Sequence, residues 1–183
     1  GDLNELEHGV VIIATGGIEY IPTEYLYGQD ERVLTQRELE KKMVASKEEL
    51  KDIKDVVMIQ CVGSRDDVHQ FCSRVRCGEA VKNAIKLKEI NPDVNVYVLY
   101  RDIRTYSFKE LYYKKAREVG VVFIRYDADR KPKVTSSNSR LELEVFDETL
   151  RREISLKPDY LVLSAGIHPR PDAQELATTF KLP

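Results

Sequence analysis

The chain has 183 residues, 42% of them hydrophobic, enough to bury one full domain core with a second, partial unit attached. Lys and Arg number 29 against 31 Asp and Glu, a net charge of −2, so no field of one sign exists to draw nucleic acid or an anionic membrane surface. The longest apolar runs, residues 10–14 and 160–165, are strand-sized and too short to span a bilayer; with no signal-peptide pattern at the start, a cytoplasmic location is expected.

Residues 9–17, Gly-Val-Val-Ile-Ile-Ala-Thr-Gly-Gly, read as a buried strand stopped by two glycines. Its best partner is the apolar run 159–166, which places both ends of the chain in one sheet. A sheet made only of chain ends has too little core, so the chain is expected to be a piece of a longer polypeptide. In that division residues 1–20 and 158–183 are remnants of one domain, and 21–157 form a domain inserted into it. Thr35 with Glu38, Ser46 with Glu49, and Ser107 with Glu110 have the capping-box spacing that opens a helix. Lys and Glu on these helices read as solvated faces.

Residues 56–61 form an apolar strand that runs into a turn holding Gly63, and from about Cys72 the residues Ala80, Val81, Ala84, Ile85 and Leu87 recur at helical spacing. Asn91-Pro92 ends that helix. Residues 94–100 are a second buried strand, a helix follows until Gly120, and residues 121–125 are a third strand. Strands alternating with helices of this length predict right-handed parallel βαβ units. Residues 141–146 and 152–156 alternate with period two around a turn, an antiparallel meander, and Asp172 is placed to cap a last short helix.

All three cysteines lie between the first of these strands and the start of its helix: Cys61, Cys72 and Cys77. A dinucleotide-binding fold keeps its phosphate loop there, and three soft ligands in that place point to a metal or iron–sulfur site. An odd number of cysteines argues against a secreted disulfide framework. A zinc site completed by His69 is the alternative, although these spacings follow no common zinc pattern; His8 and His168 read as surface residues. Gly63 is the only glycine in the turn, so the G-x-G-x-x-G backbone for pyrophosphate is not reproduced. Arg101 and Arg104 read as surface ion-pair or subunit-contact residues.

The order βαβαβ, meander, returning strand is that of the nucleotide-binding-like domain inserted into flavin-dependent disulfide oxidoreductases, so the fold class is α/β, a Rossmann-like parallel sheet with a β-meander. Gln60-Cys61-Val-Gly-Ser-Arg-Asp66, Cys72-Ser-Arg-Val-Arg-Cys77 and residues 98–106, Val-Leu-Tyr-Arg-Asp-Ile-Arg-Thr-Tyr, resemble the A subunit of heterodisulfide reductase across essentially the whole chain. The resemblance implies an FAD-containing oxidoreductase subunit that transfers electrons within a multisubunit heterodisulfide-reductase-type complex, with other subunits as its partners, and a 4Fe-4S cluster. Cys61, Cys72 and Cys77 fall on three of that family's four ligand positions, and Arg76 stands at the fourth, where it has no lone pair to offer. Thr15, Gly16, Gly17, Ala165 and Gly166 fall where the family's strand ends face the flavin. FAD itself is not expected on this piece, which lacks the pyrophosphate loop, and the piece alone is expected to be inactive. Two other readings remain: an NAD(P)-binding domain of a pyridine-nucleotide oxidoreductase, and a cofactor-free scaffold whose segment 100–113 docks a partner.

Overall fold

The computed structural model describes residues 4–137 and 140–182. In chain order the elements are β1 (Gly17–Glu19), β2 (Val33–Thr35), α1 (Gln36–Ala45), β3 (Asp55–Val62), α2 (Arg76–Ile90), β4 (Asn95–Tyr100), α3 (Lys109–Glu118) and β5 (Val122–Arg125). They continue with β6 (Lys133–Ser137), β7 (Arg140–Asp147), β8 (Arg152–Leu156), β9 (Tyr160–Ala165), β10 (Ile167–Pro169) and α4 (Ala173–Thr179).

Five strands make one parallel sheet in the order β2-β9-β3-β4-β5. The alternation of β3 decides what covers each face. Val56 and Met58 pack with Ala80, Val81 and Ala84 of α2, Leu39 of α1 and Ala116 of α3. Val57 and Ile59 face the other way, onto Leu141, Leu143 and Val145 of the antiparallel meander β6-β7-β8. The apolar run from Val56 to Ile59 is thereby buried on both sides, between a helical layer and a sheet layer.

The predicted βαβ units and the meander are present, and Thr35 caps α1 as a full box: its hydroxyl accepts from Glu38 N–H at 3.3 Å and its own N–H donates to Glu38 Oε2 at 2.7 Å. The other two expected boxes take different forms. Ser46 closes α1, donating its N–H to Lys42 O at 2.8 Å, and only a 3₁₀ turn, Lys47–Leu50, follows. Ser107 sits at φ +56, Phe108 occupies the cap position, and Glu110 accepts instead from the Thr105 hydroxyl at 2.7 Å. Asp172 is the N-cap residue of α4 but its side chain makes no capping bond.

The expected strand at 9–15 is not formed. Val10 and Ile12 are 79% and 84% exposed, and no sheet among the described residues includes them. Its expected partner, β9, lies in the middle of the parallel sheet between β2 and β3, with Leu161 and Leu163 fully buried. Tyr160–Ala165 pairs on both edges there, with β2 and with β3, which satisfies its backbone groups inside the sheet. The two ends of the chain do meet, a few residues further on, where β1 and β10 pair antiparallel with Ile18 opposite His168.

Candidate functional site at the C-terminal edge of the sheet

The site grows from an irregularity in β3. Its pairing with β9 shifts register between Ile59 and Val62, and Cys61 within that bulge has φ +64. A left-handed conformation costs a non-glycine residue about 1 kcal/mol, and bulges of this kind re-aim a side chain at the rim of a sheet. Gly63 (φ +64) turns the chain, and a Cβ there would overlap the ring of Tyr20. Gly166 is as tightly placed: its Cβ would stand 2.7 Å from Gly63 O, while its N–H donates to Val62 O and its carbonyl accepts from Tyr20 N–H, both at 2.8 Å.

The loop from Arg65 to Phe71 closes on itself. Arg65 N–H donates to Phe71 O, and the Asp66 carboxylate accepts from the N–H groups of Val68 and His69 at 3.0 and 2.6 Å, an Asx turn. It presents His69 and Phe71 to a ring cluster with Tyr20 and His168, in which the two imidazoles lie 4.3 Å apart. His69 is thus an aromatic packing residue with Asp66 beside it at 3.4 Å. His168, read from sequence as a surface residue, is part-buried with Nε2 2.9 Å from Gly63 O.

A second segment, Arg101 to Arg104, crosses over the cysteines from the end of β4. Arg101 donates to the carbonyls of Arg65 (2.7 Å) and Ser64 (3.0 Å) and so fixes the turn rather than pairing with a surface carboxylate. Asp102 joins Arg65 to Arg104, whose Nε lies at 3.0 Å, and Arg65 Nη1 stands 3.9 Å from Cys61 Sγ. Burial alone would push the Asp102 carboxyl up; the two guanidinium groups overcome that and hold it below the usual carboxylate range. Cys72 accepts from Arg74 N–H at 3.3 Å. Cys77, one residue into α2, is buried, which pushes its thiol up, offset in part by the backbone N–H of Arg104.

Arg76 is spoken for. It is 8% exposed and paired with Glu19 of β1 at 3.0 Å and with Glu79 one turn along α2. Among the described residues no three His, Cys, Asp or Glu side chains form a group that could hold a metal ion. Both polar atoms of the Gln60 amide, buried beside Cys61, lack a partner among the described residues, an orphan that a bound group or water would satisfy. The cavity at the end of β3, lined by Tyr25, Cys61, Arg65, Arg101 and Tyr126, holds about 50 Å³, room for water but far below the several hundred Å³ of a nucleotide pocket. Of the residues expected to face a flavin, Thr15, Gly16 and Gly17 are exposed, Ala165 is buried in β9, and Gly166 is held by the backbone contacts above.

The fold is one shared with solved oxidoreductases. A thioredoxin reductase of Lactococcus lactis superposes with a TM-score of 0.53 at 15% identity, covering 85% of this chain and 44% of that one. An FAD-bound cadaverine monooxygenase of Erwinia amylovora superposes with a TM-score of 0.55 at 12% identity, over 91% and 46%. No family model matches the sequence. Curated relatives do: the iron-sulfur A subunit of the CoB--CoM heterodisulfide reductase of Methanocaldococcus jannaschii is 35% identical over 94% of this chain. The A subunit of a heterodisulfide, ferredoxin reductase of Methanococcus maripaludis is 38% identical over 92%. The chain is a homologue of the heterodisulfide reductase A subunit along nearly all of its length, and it spans 29% and 28% of the length of those two relatives.

Proposed function

We propose that this chain is the inserted domain, with short flanks, of a flavin- and iron–sulfur-containing subunit that passes electrons within a heterodisulfide-reductase-type complex. In this reading residues 1–20 and the part of the 158–183 flank that follows β9 belong to a flavin domain, and Thr15, Gly16 and Gly17 face its cofactor. The observation that carries it is the likeness, along nearly all of this chain, to the iron-sulfur A subunit of the heterodisulfide reductase of Methanocaldococcus jannaschii, with Cys61 near the end of β3 and Cys77 at the start of α2, where a dinucleotide-binding fold keeps its phosphate loop. Cys61, Cys72 and Cys77 are the cluster-binding residues of the proposal, with the fourth ligand coming from elsewhere, since Arg76 is bound to Glu19 and Glu79. Such a cluster, when bound, supplies one-electron transfer. In this reading the β3 bulge orients Cys61, α2 carries Cys77, and Arg65, paired with Asp102, stands 3.9 Å from Cys61 Sγ.

Pyridine-nucleotide binding is the weaker reading. Gly63 is a glycine because Tyr20 packs onto it, which leaves no open backbone for a pyrophosphate to approach. Anaerobic reconstitution with iron and sulfide separates the two. Uptake that is lost in Cys61→Ser and Cys77→Ser supports the proposal; no uptake, together with saturable NADH or NADPH binding, refutes it.

A further inference from the structure

Of the three thiols, Cys72 is the one that no strand or helix carries. Cys61 lies in β3 and Cys77 in α2, whereas Cys72 sits, part-exposed, in the loop between them. From Asp66 to Arg74 the hydrogen bonds of that loop are local: the Asp66 turn, Phe71 O with Arg65 N–H, Ser73 O with Val75 N–H, and Cys72 Sγ with Arg74 N–H. Among the described residues one hydrogen bond leaves this stretch, from Ile167 N–H to Ser73 Oγ at 2.8 Å.

The other neighbour of Cys72 is tied to the same place. The Phe71 ring meets His168 edge-on, 5.6 Å between centroids, with His69 packed against both. His168 is itself held, its Nε2 2.9 Å from Gly63 O. Residues 71 and 73, on either side of the thiol, are thus pinned to 168 and 167, consecutive residues of β10. That strand is fixed in turn by β1, with Ile18 opposite His168 and Glu19 opposite Ile167, and Glu19 is bound to Arg76 of α2. A thiol on a loop has no ladder of its own, so its place is set by whatever locks its neighbours.

We propose that the β1–β10 ribbon positions Cys72, with Ser73 and His168 as the positioning residues that clamp the chain on either side of it. The inference rests on the proposed function in taking Cys72 as a cluster ligand. In that reading the ribbon belongs to the flanks, and the clamp is a mechanical link from the flavin domain to one ligand of the inserted domain.

The test is a nitroxide attached to Cys72 in the Cys61→Ser chain, where the buried Cys77 stays unlabelled. The label should be immobilised there, and Ser73→Ala and His168→Ala should each shorten its rotational correlation time about threefold or more. The thermal midpoint of Ser73→Ala should stay within a few degrees of the parent's, and Ser73→Thr, which keeps the hydroxyl, should restore the immobilised spectrum. With all three cysteines in place, anaerobic uptake of iron and sulfide should fall in Ser73→Ala and return in Ser73→Thr. An unchanged label spectrum in Ser73→Ala overturns the inference. So does a label that stays mobile in Ser73→Thr, or a mobile label in Ser73→Ala alongside iron uptake equal to the parent's. Should His168→Ala fail to fold, the two Ser73 variants decide. A parent that takes up no iron refutes the proposed function instead, and the label spectra then decide whether the clamp exists.

Discussion

Tyr20 fills the space that a side chain on Gly63 would need, so the residue just past β1 sets the identity of the glycine that ends β3. The same ring also packs on His168 at 5.1 Å, which ties the β1–β10 ribbon to the loop that carries the cysteines. Gly63→Ala is expected to cost about 1 kcal/mol for the left-handed backbone and more for the displaced ring. Tyr20→Ala in the same molecule should recover the second part, a coupling that a double-mutant cycle in urea measures directly. A Gly63→Ala variant as stable as the parent would show that the contact does not exist in solution.

Arg76→Cys tests the tie between Glu19 and Glu79. Removing one partner of a buried ion pair costs roughly 3–5 kcal/mol, and the Arg76 side chain is 10% exposed. Burial already raises the Glu19 carboxyl above its ordinary 4.5, and Arg76 opposes that rise. With the guanidinium gone the carboxyl rises further, and a raised folded value stabilises below pH 4.5 and is lost as pH climbs through it. The variant should therefore lose most in thermal midpoint at pH 7 and least near pH 4; equal losses at both would refute the assignment.

The thiols should differ in reactivity. Cys61 and Cys72 are part-exposed, whereas Cys77 is 7% exposed with its thiol pushed up by burial. Iodoacetamide at about pH 8 should label Cys61 and Cys72 first, with Cys77 modified only on unfolding, as peptide mass spectrometry would read. Early labelling of Cys77 would mean that the start of α2 is open.

Asp30 gives an acid-range prediction. Hydrogen bonds from Arg32 hold its carboxyl down at about 2, and Ser136 of the meander donates to the same carboxylate at 3.2 Å. Stability from a lowered carboxyl is present above its ordinary 3.8 and is lost as pH falls toward 2. Arg32→Met should thus be less stable than the parent at pH 5, with the gap closing between about pH 4 and pH 2 in denaturant titrations. A gap of constant size would remove Asp30 as its source.

Two aspartate substitutions separate what looks alike in sequence. Ile59 is fully buried, so Ile59→Asp should cost several kcal/mol out of roughly 5–15 and unfold the chain. Ile12, in an equally apolar run, is 84% exposed, and Ile12→Asp should leave the thermal midpoint of this chain within about a degree. A collapse of the second variant would place residues 9–15 in a core after all.

The amino-acid sequence by itself determined the parts whose signals are local. The apolar run from Val56 to Ile59, the 3.6-residue recurrence from Ala80 to Leu87, the period-two pattern of 141–146 and the Thr35–Glu38 box are each read over a few neighbouring positions, and each forms where expected. The placement of Cys61 near the end of β3 and of Cys77 at the start of α2 was legible too, because a strand end and the start of the next helix follow one another in any βαβ unit. Tertiary structure decided the rest. Residues 10–14 and 160–165 are equally strand-like, but only the second has an open edge on both sides, between β2 and β3. Arg76 meets Glu19 across 57 positions, Tyr20 meets Gly63, and Asp102 bridges Arg65 and Arg104 from another strand's end. No periodicity or spacing encodes such contacts, because they arise only when distant segments are brought to one corner and must share its volume and cancel its charge.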